Sequence, residues 1–229
     1  MNRYSSSLAL LAAFSVAAIA PASAQFGGLS NVVGLNQSGG GSFAGTGAQM
    51  AGNVVVGLRS MATAVLFMNQ AVGNQAAANR MQAVVDELKA MKDPDPAVIE
   101  RTLKTIDANA VDRNALAKAR DQKSKQQLAQ SAGFVAIAGL FDAKAVNNAR
   151  QLAATKPSPA DAVSAPSLMN TAKVVVTAFP AQIDHLSQYG SMLGTYMSDN
   201  KLTPPSKEAQ RADAQAQGAS AEQIKDSLP

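Results

Sequence analysis

Residues able to do chemistry are sparse in this sequence. There is one histidine, His185, and there is no cysteine and no tryptophan among the 229 residues. Asp184 adjoins His185, but neighbours at i and i+1 point apart on a helix, so the two form no direct catalytic dyad. A lone histidine without motif company reads as a partly exposed helical residue, not as a base or a metal ligand. No HExxH, GxSxG or GxxxxGK[ST] pattern occurs, so zincin, α/β-hydrolase and phosphate-loop chemistry lack their minimal residues. Gly39, Gly41 and Ala44 satisfy GxGxx[GA], yet no strand precedes them, and a dinucleotide site needs one. Asp93 with Asp95, and Asp107 with Asn109 and Asp112, lack the glycine turn and distal glutamate of a calcium loop and read as helix caps. Asp86 and Glu87 are adjacent and diverge on a helix, which makes a poor acid/base pair. The absence of cysteine excludes disulfides, thiolate metal sites and a lipid-modified cysteine. No catalytic, cofactor or metal residue is predicted.

Three surfaces remain as candidates. The first is the stripe Met50, Val54, Leu58, Met61, Val65, Met68 and Val72, whose steps of three and four mark one helix face. Leu58, Met61, Val65 and Met68 make it either a core face or a partner face, since methionine repacks readily against varied surfaces. The second is the basic run Arg113, Lys118, Arg120, Lys123 and Lys125, relieved only by Asp121. It reads as a solvated face or as a contact for anionic headgroups, each nearby Lys or Arg contributing about 1 kcal/mol at such a surface. Nucleic acid is not expected: the run has no aromatic residue, and the chain carries 20 basic against 16 acidic side chains. The third is Gly190-x-x-x-Gly194, where two glycines one turn apart admit a second backbone, either inside the bundle or in self-association.

The elements that must position these residues follow from punctuation. Residues 1–24 read as a secretory signal, with Arg3, the apolar stretch Leu8–Ile19 and a small-residue cleavage site at Ala22-Ser23-Ala24. That stretch is too short to span ~30 Å of hydrocarbon, and Pro21 follows it. Residues 25–49 read as a flexible leader rich in glycine, and residues 50–203 as a helical domain. Within that domain, one long helix bent near Gly73 is expected up to Asp93-Pro94-Asp95-Pro96. A short helix capped by Asp95 follows, running to Ile106 or Asp107. A further helix capped by Asp112 should run to Pro157, and residues 168–198 should form two helices or one kinked at Pro180. Val54-Val55-Val56 and Val174-Val175-Val176 are β-branched but lie in helix-period windows, so no strand is assigned. Residues 204–229 carry few large aliphatics and read as a loosely attached polar tail, helix-prone or disordered.

The expected fold is therefore all-α: a single bundle of about five helices, two of them long, between a flexible leader and a loose tail. Aromatic residues are 4% of the chain, so alanine, valine, leucine and methionine must fill its core. The expected location is the bacterial periplasm or beyond, after cleavage near Ala24. The expected role is non-enzymatic: contact with a protein partner of unidentified type, as an envelope-associated adaptor, chaperone-like or structural component. The alternative is peripheral association with an anionic membrane surface through residues 113–125; an enzyme or small-ligand carrier ranks below both.

Overall fold

A computed structural model of the chain describes residues 42–91 and 93–228. The expected signal segment, its cleavage site and the expected leader as far as residue 41 lie outside the described residues. Ser42 ends the glycine-rich stretch: its hydroxyl accepts the Gly45 amide at 3.1 Å and starts α1, Phe43–Ala71. Residues 43–49, read as leader, are thus helical. Composition hid this, because Phe43 and Met50 are buried and Gly47 lets Leu168 approach to a distance that no β-carbon would tolerate.

The single bent helix expected across Gly73 is instead two. The Gly73 amide bonds the Gln70 carbonyl at 3.1 Å and the Asn74 amide bonds Asn69 at 2.9 Å, while Gly73 itself holds φ +75°. That pair of bonds is the Schellman stop, which needs a residue without a β-carbon penalty at this left-handed position. Asn74 then caps α2, Gln75–Ala90. Arg59, fourteen residues before Gly73, bonds the Leu88 carbonyl, fifteen residues after it, so α2 folds back antiparallel on α1.

Asp95 caps α3, Pro96–Ala108, by accepting from the Ala97 and Val98 amides at 2.7 and 3.2 Å, with Pro96 at the first helical position as read from the sequence. Asp112 caps only one turn, α4, Arg113–Leu116. The long helix expected from Asp112 begins afresh at Asp121, whose carboxylate takes the Ser124 amide and opens α5, Gln122–Ala154. A 3₁₀ turn at Pro159–Asp161 leads into α6, Ala165–Asp199, one helix with Pro180 inside it.

The bundle is organised on α1 and α5, which pack more extensively than any other pair. Ser124 Oγ meets the Ala71 carbonyl (2.9 Å), Gln127 meets Gln70 (3.0 Å), and Ser131 Oγ meets the Ala64 carbonyl (2.9 Å), so the two run antiparallel. Buried Met50, Gly57, Ala64 and Ala71 recur every seventh residue, facing a like series at Ser124, Ser131, Ala138 and Ala145. Small side chains at heptad spacing draw two helices close over their whole length. Phe67 and Phe134 stack beside this seam, centroids 5.8 Å apart. Over 18 residues α1 reaches a mean hydropathy of 1.5, enough by length and composition to cross a bilayer, and 78% of that window is buried in the bundle.

The C-terminal segment, expected to hang loosely, forms α7, Lys207–Ala216, and α8, Ala221–Ser227, and both are docked. Ala214, Ala219 and Leu228 are buried, and Pro205 sits against Gly133, where a β-carbon would lie 3.0 Å from its Cγ. Arg59 Nη1 donates to the Gln217 carbonyl (2.7 Å), Gln223 Nε2 to Asn53 Oδ1 (2.9 Å), and Arg211 to the Leu228 carbonyl (3.2 Å). A count of large aliphatics could not foresee attachment through alanines and backbone carbonyls. The described residues thus hold eight α-helices, where about five were expected, and no strand; both valine triplets are helical.

Candidate functional site

Of the three surfaces, the apolar stripe is core. Leu58, Met61, Val65 and Met68 are each 0% exposed, covered by α5 and the neighbouring helices, so none is available as a partner face. Among the described residues only Val163 and Met169 are exposed large hydrophobics, too few for an apolar docking patch. Gly190 and Gly194 are buried on the inner face of α6, whose main packing partner is α5; they serve contacts within the bundle and not a surface for self-association.

The basic run is outside and firmly mounted. Val111, Leu116 and Ala119 turn inward and are buried, which throws Arg113, Lys118, Arg120 and Lys123 outward and leaves Lys125 half-buried. Asp112 accepts the Ala115 amide at 2.7 Å, and the Tyr196 hydroxyl donates to the Ala119 carbonyl, pinning the loop between α4 and α5 to the end of α6. Asp121 sits in the middle of these cations. Ser124 donates to its carboxylate from both side chain and backbone, which holds it below the ordinary aspartate range and keeps it ionised. Among the described residues none of the five cations forms an ion pair. The result is a rigid corner of solvated positive charge with one internal acid, suited to electrostatic contact.

His185 finds a carboxylate that the sequence did not suggest. Its Nδ1 lies 3.2 Å from Asp107 Oδ1 at the end of α3, 78 residues away in the chain, whereas Asp184 points elsewhere. The two side chains are 44% and 49% exposed, which makes this a solvated pair, not the buried, oriented dyad that nucleophilic catalysis requires. Tyr189, one turn further along α6, is pushed up to about 12, first by burial and then by the Asp107 charge.

Sequence reading also missed Asp142, the most unusual group in the molecule. It lies in the middle of α5, is 0% exposed and is aimed at α1, where a β-carbon on Gly57 would come within 1.9 Å of Oδ1. Neither of its oxygens has a protein hydrogen-bond partner, and the nearby Ser60 hydroxyl is equally unpartnered. Burial alone drives its carboxyl well above the ordinary range and favours the neutral acid. Its close fit against Gly57 leaves no room there for a substrate, and the available signal was the heptad: Leu128, Val135, Asp142 and Ala149 share one register, with a single acid among apolar positions.

One open cavity lies between α2 and α3, with a volume of about 680 Å³ and with Arg80, Glu100, Arg101, Lys104, Thr105 and Asn109 along it. Among the described residues no group of three or more His, Cys, Asp or Glu is placed to hold a metal ion. The chain matches no protein-family model, no curated protein and no solved structure.

Proposed function

We propose that this chain is an exported, non-enzymatic adaptor of the bacterial envelope that works through polar surface contacts. The observation that carries the reading is the division of the molecule. Its apolar stripes are consumed by the α1–α5 core, while a mounted set of solvated cations remains outside. A bundle that keeps no apolar patch for its partners must recruit them by charge and hydrogen bonding, which favours selective, salt-sensitive association. The solvated His185–Asp107 pair fits a role outside catalysis.

A second reading, peripheral binding to anionic lipid, is favoured by Arg113, Lys118, Arg120 and Lys123, whose charges all project from one corner. Four such residues near an anionic bilayer contribute about 1 kcal/mol each. Cosedimentation of the exported, processed chain with anionic and neutral vesicles separates the two readings. Binding to anionic vesicles at low salt that is lost at high salt, and lost when the four residues are changed to glutamine, supports lipid contact. Chain that stays in the supernatant under every condition leaves the protein-directed adaptor and sends the search to crosslinking in the envelope.

A further inference from the structure

The open groove between α2 and α3 differs in kind from the basic corner, because one of its cations, the exposed Arg80, is tethered to a hydrogen-bond network that starts in the core. Arg80 Nε donates to Asn109 Oδ1 at 2.9 Å. Asn109, 6% exposed, is itself fixed: its Nδ2 donates to the Thr105 carbonyl (2.7 Å) and its own carbonyl accepts from Asn69 Nδ2 (2.8 Å). Asn69 is 1% exposed and also bonds the Val65 carbonyl at 2.9 Å, within the central helix α1. A chain of hydrogen bonds thus runs from the centre of the bundle to the guanidinium. Nε is committed, and neither Nη has a partner among the described residues. A guanidinium so held presents a preformed fork, the geometry that recognises a carboxylate through two parallel hydrogen bonds.

The rest of the cavity limits what can lie in it. Lys104 is exposed on its wall and in no ion pair among the described residues, so a second positive charge accompanies the fork. Arg101, also on the wall, is already held by Glu87, and Glu100 stands toward the start of α3. The cavity is therefore polarised along α3, cationic toward Asn109 and mixed toward Pro96. Ala97 and Ala108, both exposed, also line it and are small enough for a backbone to lie on. From Ala97 to Asn109 a helix rises ~18 Å, the length of about five extended residues.

We infer that the α2–α3 cavity is a docking site for an extended acidic segment of a partner protein, one of whose carboxylates is taken by the Arg80 fork with Lys104 alongside. The site is separate from the corner at residues 113–125, so it stands or falls independently of the lipid reading.

The test is fluorescence anisotropy at low ionic strength, using the processed chain and a labelled peptide of alternating aspartate and alanine, with its asparagine counterpart as control. The aspartate peptide should bind and the asparagine peptide should not. Arg80→Gln should weaken binding by about tenfold, the worth of a charge-assisted hydrogen bond. Lys104→Gln removes a residue with no structural bond and should also weaken it, with circular dichroism unchanged. The double change Lys118→Gln/Arg120→Gln at the corner should leave it intact. The proposal is overturned by failure of the aspartate peptide to bind, by equal binding of the asparagine peptide, or by full affinity in Lys104→Gln and Arg80→Gln. It is equally overturned if the corner variant abolishes binding, or if inorganic phosphate displaces the peptide at equimolar concentration, which would mark the fork as a site for a free oxyanion.

Discussion

The α1–α5 seam and the C-terminal pair α7–α8 are both docked, yet they are held by different balances of packing and polar bonding. Along the seam, heptads made mostly of glycine, alanine and serine bring two long helices together, with three hydrogen bonds across it, and its one acid has no protein hydrogen-bond partner. The C-terminal pair adds long-range polar anchors to its buried Ala214, Ala219 and Leu228, with Arg59 reaching from α1 to the carbonyl ends of α2 and α7 at once. Those carbonyls carry the negative ends of two helix dipoles, which gives one half-buried cation two acceptors and no need of a carboxylate. Burial lowers the Arg59 guanidinium from its ordinary value, the expected cost of that position. The contrast shows that close packing and polar anchoring can each fix a helix, and that they should fail differently.

The largest effect is expected where packing is tightest. Gly57→Ala puts a methyl group where Asp142 Oδ1 already lies, a separation of 1.9 Å that forces the buried Asp142 side chain or one of the long helices to move. A cost of about 3 kcal/mol or more is expected in urea unfolding, since overpacking of a rigid core is poorly absorbed. Gly57→Ala/Asp142→Ala should recover most of it, and the coupling energy of the cycle measures the contact. Additive losses would show that the two residues do not touch.

The acid in the same seam gives the second effect, read against pH. The folded-state titration of Asp142 is raised above its unfolded value, so the folded state binds the extra proton, and the stability linked to it is complete below the unfolded value. It is lost as pH rises from about 4 toward the raised folded value, at up to ~1.4 kcal/mol per pH unit. Asp142→Asn cannot ionise. Its stability relative to the parent should therefore rise steadily with pH, whereas a difference that stays flat from pH 4 to 8 would mean the carboxylate is stabilised in place.

These two regions also differ in how far the sequence disclosed them. The stripe Met50 to Val72 and the caps at Asp95 and Asp112 were legible because periodicity and capping are local properties of the chain. The Gly73 stop was half-legible: a glycine is visible, but only the bonds from its own amide to Gln70 and from Asn74 to Asn69 turn a bend into a reversal. Arg59 was not legible as an anchor, since its acceptors at residues 88 and 217 are backbone atoms that any side chain could have supplied. Of the candidate site, the basic corner was visible as a run of residue types. The Arg80 fork was not, because it depends on Asn69 and Asn109, neutral residues that read as caps or spacers.

Cutting the anchor sharpens the comparison at a lower cost. Arg59→Met keeps the aliphatic stem and removes the bonds to Leu88 and Gln217. Hydrogen bonds from a charged donor are worth roughly 1.5–3 kcal/mol each when buried, and partial exposure here brings the pair to about 2 kcal/mol. The loss should be local: amide exchange should accelerate across 207–228 and limited proteolysis should cut near Gly218, while α1 and α5 keep their protection. A uniform rise in exchange over the whole chain would show that the C-terminal pair and the seam unfold as one unit.

The smallest effect belongs to the most exposed polar contact, which completes the series from packed seam to half-buried anchor to surface. The His185–Asp107 pair is nearly half exposed on both sides, so solvent screens it and Asp107→Asn should change stability by less than about 1 kcal/mol. The same substitution has a more sensitive reporter beside it. Tyr189 is raised to about 12 by burial first and by the Asp107 charge second, so removing that charge should lower its titration without returning it to the ordinary tyrosine value. Ultraviolet titration of the phenol, in a background where Tyr4 and Tyr196 are changed to phenylalanine, resolves the two contributions. A midpoint unmoved by Asp107→Asn would assign the whole shift to burial and place the carboxylate too far into solvent to be felt. A small downward step confined to this tyrosine would show that charge still acts at the rim, where packing has ceased to.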